Sequence, residues 1–264
     1  MNYSTIIEAS YDYRLVALSV LIAIFASYVA LELINLITAA RSKGRFTWLL
    51  WGATAMGTGI WSMHYTGMLA YRLPVPVYYH IPTVALSWFA AVCASFIALF
   101  VVSRERATGL HVLIGGVLMA VGIGAMHYTG MAAMRLSAMH RYEPMLVVLS
   151  VLVAVMICLA ALGLVFQFRD DKQGKVLKTA TALLMGLAIP LMHYTGMAAV
   201  SYRSGHEEPD LTNALNISAI ANTAIILITF IVLGSVLMIR QWIVVFGSGS
   251  ATARPLQPAH NRAR

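Results

Sequence analysis

The chain has 264 residues, of which 60 % are hydrophobic and only 11 % are charged. Soluble domains carry about 25 % charged residues, so a chain of this composition cannot bury its apolar surface in one water-soluble core. The net charge of +8 would suit nucleic acid, but the basic residues are gathered in short segments between apolar runs, which is typical of membrane proteins. We therefore expect a multi-pass protein whose partner is the lipid bilayer and not nucleic acid.

Seven apolar runs are long enough to cross the roughly 30 Å of bilayer hydrocarbon as helices. Helices are expected because an isolated span must satisfy its own backbone hydrogen bonds. The runs cover residues 14–39, 47–71, 82–103, 109–134, 145–167, 177–200 and 217–240. The predicted fold class is an all-α membrane protein with seven transmembrane helices.

The Lys and Arg residues predict the orientation of these helices. Thirteen of them lie in the segments 41–45, 104–106, 169–178 and 240–264, whereas the amino terminus and the three other connections hold only five. Positive residues are enriched on the cytoplasmic side of membrane proteins. We therefore expect the N-terminus outside and the C-terminus in the cytoplasm.

One hexapeptide, Met-His-Tyr-Thr-Gly-Met, occurs three times, at Met63–Met68, Met126–Met131 and Met192–Met197. The copies start 63 and then 66 residues apart, which is enough for two membrane-crossing helices and their connections. The odd-numbered helices repeat as well, since Ala26–Leu31 matches Ala94–Leu99. The sequence thus predicts three tandem helical hairpins plus one extra helix, with each hexapeptide near the outer end of an even-numbered helix.

The domain boundaries follow from the same pattern. Residues 1–245 are predicted to form one seven-helix membrane domain. Residues 246–264 are rich in Gly, Ser and Pro and have little that could form a core, so we expect a flexible cytoplasmic tail there.

The repeat supplies a candidate metal site. On a helical wheel His64 and Met68 share a face, so each repeat offers an imidazole and a thioether four residues apart. This donor set, without carboxylates, favours copper; zinc would prefer a closed Cys/His set, and haem would leave one of three imidazoles over. The candidate ligands are His64, Met68, His127, Met131, His193 and Met197, followed by Met63, Met126 and Met192.

Other interpretations of these residues stay open at the level of sequence. The histidines could simply form hydrogen bonds between helices, and the methionines could simply pack. The motif tyrosines are expected to be interfacial aromatics, with the glycines leaving room for another helix or an ion. Met56, Met119 and Met185 extend the same face, but they lie about 12 Å from the histidines, too far to bind the same ion. Glu32 is expected to reach the membrane interface.

The residues Met63–Thr66, Met126–Thr129 and Met192–Thr195 carry a resemblance that covers the chain from about residue 14 to 240. With seven helices and three M-H-Y-T motifs, the chain resembles the MHYT family of bacterial integral membrane sensor domains. The resemblance implies a sensory module in the bacterial cytoplasmic (inner) membrane that holds copper through the motif Met and His residues and detects oxygen, carbon monoxide, nitric oxide or redox state.

Many members of this family continue into domains that make or hydrolyse a cyclic dinucleotide. Because this chain ends soon after its seventh helix, we expect a separate cytoplasmic signalling partner. No Ser-His-Asp set, carboxylate pair or phosphate-binding glycine loop is visible, so we expect no enzyme activity. The alternatives to a sensor are a transporter for copper or another soft metal, with the inner methionines as a second station, and a structural membrane subunit.

Overall fold

The computed structural model describes residues 6–40, 42–104, 108–168, 175–205, 208–216 and 219–247. Seven helices occur in this part of the chain, and they correspond to the seven predicted runs. They are α1 (Tyr13–Ala39), α2 (Ser42–Ala70), α3 (Ile81–Val102), α4 (Gly109–Ala132), α5 (Pro144–Phe168), α6 (Lys175–Ala198) and α7 (Ala219–Gly247). The predicted tail lies outside the described residues from position 248 onward.

Six helices form a ring-shaped bundle of three inner and three outer helices, and the seventh helix lies outside it. Helices α2, α4 and α6 lie at the centre, each carrying one hexapeptide. Helix α1 packs against α2 and α6, α3 packs against α2 and α4, and α5 packs against α4 and α6. Helix α7 packs on α1 and α2. Three hairpins therefore surround a pseudo-threefold axis, and the seventh helix stands outside the repeat, as the sequence predicts.

The outer surface of the ring is suited to lipid. Five described helical segments are long and apolar enough to cross a membrane, and large apolar side chains such as Leu118, Leu152 and Leu187 are exposed on them. The segments lie in α1, α3, α4, α5 and α6, and α7 adds a shorter apolar stretch, Ile225–Ile239. A soluble protein rarely exposes apolar surface on this scale, so the chain is a multi-pass membrane protein.

Helix α2 is not among the five, and its surroundings explain why. From Gly52 to Ala70 no side chain of α2 is exposed, because α1, α3 and α7 pack around it. A helix that faces other helices does not need lipid-compatible side chains. Its Ser, Thr and Gly residues instead allow close helix contacts; a Cβ atom added at Gly57, for example, would lie 2.7 Å from the Cα atom of Val92.

Short antiparallel strands cover one end of the ring, in the connections that follow α2, α4 and α6 and in the segment before α1. They are β1 (Ile6–Ile7), β2 (Ser10–Tyr11), β3 (Tyr71–Arg72), β4 (Tyr78–His80), β5 (Met134–Arg135), β6 (Ala138–Tyr142), β7 (Val200–Ser204) and β8 (Ala214–Leu215). They pair in the orders β1-β7-β6, β2-β3 and β5-β4-β8. We call these strands the cap. The all-α prediction missed them because strands of two to five residues are too short to show an alternating pattern.

The prediction that Glu32 reaches the membrane interface is wrong. Glu32 is 1 % exposed, and its Oε1 atom accepts a hydrogen bond of 2.6 Å from Lys178 Nζ. The pair joins α1 to α6, and Lys178 Nζ also lies 5.8 Å from the centre of the Tyr28 ring. In the repeat, Glu32 aligns with Phe100 and Lys178 aligns with Leu49 and Val112, so this ion pair belongs to one position of the pseudo-threefold arrangement.

This ion pair gives a stability prediction. Lys178→Leu should lower the midpoint of thermal unfolding in nanodiscs, because an unpaired buried carboxylate costs about 3–5 kcal/mol. Adding Glu32→Leu should recover most of the loss, since two well-packed apolar side chains are close to neutral at such a site. Lys178→Arg is the matched control and should stay near wild type. If adding Glu32→Leu lowered the midpoint of thermal unfolding further, the coupling between the two side chains would be contradicted.

Candidate functional site

The three hexapeptides bring one histidine each to the pseudo-threefold axis, near the cap end of α2, α4 and α6. The Nδ1 atom of His64 lies 3.1 Å from that of His193 and 3.3 Å from that of His127, and the last two lie 3.3 Å apart. The three rings are nearly perpendicular to one another, with interplanar angles of 79°, 85° and 87°. None is more than 1 % exposed. We call these residues the histidine triad.

Hydrogen bonds between the three imidazoles cannot satisfy all three Nδ1 atoms of this triangle. A neutral imidazole nitrogen either carries a hydrogen and donates, or has a lone pair and accepts. With three nitrogens in mutual contact and only two states, at least two must be alike, and that pair forms no hydrogen bond. An unsatisfied polar group buried in a membrane protein is expensive. A cation at the centre removes the conflict, because all three nitrogens can then present a lone pair.

The triangle also has the right size for a metal ion. The centre of a triangle with these edges lies about 1.9 Å from each nitrogen (3.2 Å divided by √3), and metal–imidazole bonds are about 2.0 Å long. Three imidazoles suit zinc as well as copper, so the triad alone does not identify the ion. Thioether ligands would favour copper.

Each histidine ring packs against the motif glycine of another repeat. A Cβ atom added at Gly130 would lie 2.2 Å from His64 Nε2, and one added at Gly196 or Gly67 would lie 2.4 Å from the Nε2 atom of its neighbour. The neighbours are His127 for Gly196 and His193 for Gly67. Hence the first repeat touches the second, the second the third, and the third the first. We call these contacts the histidine–glycine interlock.

The interlock decides between the two expected uses of the motif glycines, room for another helix or for an ion, and explains a gap in the hydrogen bonding. The space left by the motif glycines is filled by an imidazole from the neighbouring repeat, not by an ion. Among the described residues the three Nε2 atoms have no hydrogen-bond partner. Metal-bound histidines usually donate their second N–H to an acceptor that orients the ring. Here packing against glycine fixes the ring orientation instead.

The predicted methionine ligands are all buried, in two different places. Met68, Met131 and Met197 lie in one cluster with Tyr65, Tyr79 and Tyr202, next to the cap. Met63, Met126 and Met192 belong to the large core between the helices. The first set lies one helical turn beyond the triad on the cap side, so its thioethers are the better placed partners for the imidazoles. The inner set, Met56, Met119 and Met185, lines a cavity farther from the cap.

The motif tyrosines form a second threefold set of contacts, which the sequence interpretation missed. Each hydroxyl pairs with a buried serine on an odd-numbered helix, and that serine Oγ donates to the carbonyl three residues earlier. The oxygen pairs are Tyr128 with Ser150 at 2.6 Å, Tyr194 with Ser19 at 2.9 Å and Tyr65 with Ser87 at 3.5 Å. The serine-to-carbonyl bonds are 2.7–2.8 Å long. Tyr65 is fully buried, so its prediction as an interfacial aromatic is wrong.

A second tyrosine from the cap packs on each motif tyrosine. Ring centres lie 5.8 Å apart for Tyr65 with Tyr79 and for Tyr194 with Tyr11, and 6.0 Å apart for Tyr128 with Tyr142, all edge to face. Each outer tyrosine stands eight residues before the serine of its own unit. A Tyr-x7-Ser pattern repeated three times was therefore the signal in the sequence for this layer.

The outer tyrosines are neutral at physiological pH. Burial, and to a lesser extent the neighbouring Tyr71 and Tyr194 hydroxyls, raise the pKa of Tyr11 to about 12. Burial also raises the pKa of Tyr79 and of Tyr142. The aromatic layer between the triad and the cap surface thus adds no charge close to the centre.

Comparison with known proteins places this arrangement in a family. The segments 2–51, 57–116 and 121–176, more than half of the chain, match the MHYT repeat, which is described as a bacterial signalling protein N-terminal repeat. The chain belongs to the MHYT family. No solved structure matches it.

Several MHYT relatives are longer signalling proteins. The chain is 44 % identical over 198 residues to the bifunctional diguanylate cyclase/cyclic di-GMP phosphodiesterase MucR of Pseudomonas aeruginosa, covering 75 % of this chain and 29 % of MucR. It is 39 % identical to the cyclic di-GMP phosphodiesterase NbdA of the same species (73 % of this chain, 25 % of NbdA) and 35 % identical to the signaling protein YkoW of Bacillus subtilis (77 % and 26 %). The chain therefore spans less than a third of the length of these relatives.

The structure gives the letters of the MHYT motif separate physical roles. Met packs in the core between the helices, His meets its two equivalents on the axis, and Tyr links to a serine of an outer helix. The threonines are not alike: Thr195 Oγ1 donates to the carbonyl of Leu191 in its own helix at 2.7 Å, whereas Thr66 Oγ1 is buried and has no partner among the described residues. The glycine that follows the four letters receives the neighbouring imidazole.

The interlock predicts a difference between two glycines of α4. Gly130→Ala should lower thermal stability by about 1–3 kcal/mol, because its methyl group would overlap the His64 ring in a packed core. Gly124→Ala is the matched control, since no atom of another helix lies within 4 Å of its added Cβ, and alanine favours the helix by up to about 1 kcal/mol. Equal effects of the two variants in thermal unfolding would contradict the interlock.

Proposed function

We propose that this protein is a membrane sensory module that holds one copper ion in the histidine triad. The observation that carries the proposal is the Nδ1 triangle, in which three buried imidazoles from three repeats meet at the spacing of a metal site. Nearby thioethers, and the absence of carboxylates from this group, favour copper over harder ions. Membership of a signalling-protein family supports the sensory role.

Bound copper would supply a change of oxidation state and a binding position for a diatomic molecule such as oxygen, carbon monoxide or nitric oxide. The protein's own part is to hold three imidazoles on one axis and to keep water away from them. In this proposal the chain senses and does not catalyse a reaction. The cap-side methionines Met68, Met131 and Met197 are the additional candidate ligands, and Met63, Met126 and Met192 rank behind them because they pack in the helix core.

The histidine–glycine interlock provides a route from the centre to the helices. A histidine ring cannot change its distance from the other two without pressing on, or withdrawing from, the backbone of the next repeat, because no side chain separates them. A change in spacing at the triad would therefore move α2, α4 and α6 relative to one another. Packed helices shift between discrete arrangements, so a displacement below 1 Å at a centre can have a larger effect at helix ends.

We further propose that all seven helices span the bacterial cytoplasmic membrane, with the cap outside. The connections at the cap end and the amino terminus hold five Lys and Arg residues, whereas the segments at the other end hold thirteen. The C-terminus would then lie in the cytoplasm. The histidine triad would lie in the outer half of the membrane, near signals that arrive from outside.

The names of two relatives support a proposal for the kind of partner that receives the signal. MucR and NbdA are named for making or hydrolysing cyclic di-GMP, and the chain matches about a quarter of each. We propose that this chain passes its signal to a cytoplasmic module of that kind, through the helix ends opposite the cap.

The orientation can be tested by labelling single cysteines. In a variant with Cys93→Ala and Cys158→Ala, Met139→Cys would lie in the exposed part of the cap, and Arg104→Cys at the other end of the ring. A membrane-impermeant maleimide should label the first cysteine in intact spheroplasts, and the second only after permeabilisation. The reverse pattern would overturn the proposed topology.

The metal proposal predicts a loss of copper in three variants. Purified wild-type protein should contain about one copper per chain. His64→Ala, His127→Ala and His193→Ala should each weaken binding by roughly tenfold or more, since even residues that only orient ligands contribute 10- to 100-fold. His140→Ala, an exposed histidine in the cap, is the matched control and should keep its copper. Copper, zinc and iron should be measured on the same samples.

The other outcomes distinguish the alternatives. Equal metal content in all variants, with stability lost in the triad variants, would leave a structural role for the histidines. Zinc instead of copper would keep the site and change the ion. In proteoliposomes the sensor should bind copper without flux. Uptake that Met119→Leu abolishes would favour a soft-metal transporter, for which the inner methionines would be the second station.

A further inference from the structure

A small cavity lies on the pseudo-threefold axis on the side of the triad away from the cap. Two equivalent sets of side chains from α2, α4 and α6 line it, and α1 and α5 close it laterally through Ala26 and Ala161. The sets are Met56, Met119 and Met185, and Ile60, Ile123 and Ile189. Each isoleucine stands four residues before a triad histidine, about 6 Å along the same helix, so the cavity adjoins the triad directly.

The cavity is suited to an apolar guest and not to water. Its wall is apolar apart from the single hydroxyl of Ser27 and the weakly polar thiol of Cys158, and the centre of a water-sized molecule can move through about 20 Å³ of it. A buried water needs two to four polar partners, and apolar cavities stay dry and bind molecules such as xenon. Since about 10–15 Å³ on this measure holds one water-sized molecule, the cavity has room for one guest of about diatomic size.

The surroundings of the triad make this side the better approach. On the cap side, Met68, Met131 and Met197 are at most 4 % exposed and pack with Tyr65 and Tyr79, whereas the cavity lies on the opposite side of the triad. The cavity is only partly enclosed, and part of its wall is half-buried Ile157 of α5. Apolar molecules concentrate in the apolar bilayer interior rather than in water. A route from lipid past α5 would therefore deliver such a guest.

We propose that this cavity binds one small apolar molecule of diatomic size and presents it to the histidine triad from the side away from the cap. The flexible thioether chains of Met56, Met119 and Met185 form the adaptable part of the wall. Occupation of the cavity depends only on its shape and lining. Its role as the source of a ligand for bound copper rests on the proposed function.

Xenon can be used to test whether the cavity binds an apolar guest. The full chain in nanodiscs, labelled with ¹³C-methyl methionine and assigned through Met→Leu variants, should show saturable shifts under xenon pressure at Met56, Met119 and Met185. Met156 and Met238 are 68 % and 74 % exposed on the lipid-facing side and should show only small, linear shifts. Linear shifts of similar size at all five methionines, or no saturable shift, would overturn the site.

Two variants with opposite effects keep the test decisive. Ala161→Leu should fill the cavity and abolish the saturable response, while Ala160→Leu, the exposed neighbour in α5, should leave it unchanged. Met119→Ala should enlarge the cavity and strengthen xenon binding, even if the leucine variant does not fold. Unchanged binding in Met119→Ala would count against the assignment.

The two proposals can fail separately. His64→Ala should keep the xenon response even if no metal binds to the protein. If copper is present, the rate of carbon monoxide binding to the reduced protein should fall at least fivefold in Ala161→Leu and remain unchanged in Ala160→Leu. Xenon binding without this change in rate would leave a cavity that does not supply the centre, and would overturn the second half of the inference.

Discussion

The contact between an imidazole of one repeat and a glycine of the next is the constraint on which the rest of the arrangement depends. In lipid there is little hydrophobic driving force between helices, so close packing and polar contacts have to hold them together. Glycine lets His64 reach the axis through the surface of α4, and the same contact recurs at the other two repeats. Any side chain at these glycines would keep the three Nδ1 atoms from their separation of 3.1–3.3 Å.

The tyrosine–serine layer holds the same three repeats together at a larger radius. Each motif tyrosine reaches from an inner helix to a serine of an outer helix, and Tyr194 closes the circle by bonding to Ser19 of α1. The serine hydroxyl donates a hydrogen bond to a backbone carbonyl and can accept one from the tyrosine, so no hydroxyl of the layer is left without an acceptor. Satisfied polar contacts of this kind suit a membrane interior, where an unmade hydrogen bond has no water to replace it. The histidines differ, because their three Nε2 atoms are buried without a hydrogen-bond partner among the described residues.

The repeat made much of this arrangement predictable. Identical hexapeptides fixed the number of hairpins and the equivalence of His64, His127 and His193, and the helical period placed His and the second Met on one face. Contacts between helices were not predictable, because spacing along one helix does not say what fills the gap beside Gly67 or where the Tyr128 hydroxyl finds its serine. The cap strands were missed because their pairing partners lie far apart in the sequence; Ile6, for example, pairs with Arg203. Glu32 was misplaced because its partner, Lys178, lies on another helix.

The centre is symmetric, but the helices around it are not. Three equivalent imidazoles would pass a change in spacing equally to α2, α4 and α6, so a directional response requires differences elsewhere. The chain concentrates such differences in the first and third repeats. Trp61 donates to Ser87 at 3.1 Å where the other repeats have Gly124 and Pro190, and in this repeat the Tyr65–Ser87 distance is the longest of the three, at 3.5 Å. Helix α6 combines Pro190 close to its histidine with Lys178 bound to Glu32 of α1. Because a proline removes one backbone hydrogen bond, α6 bends more easily there than its equivalents, and the ion pair ties its other end to α1.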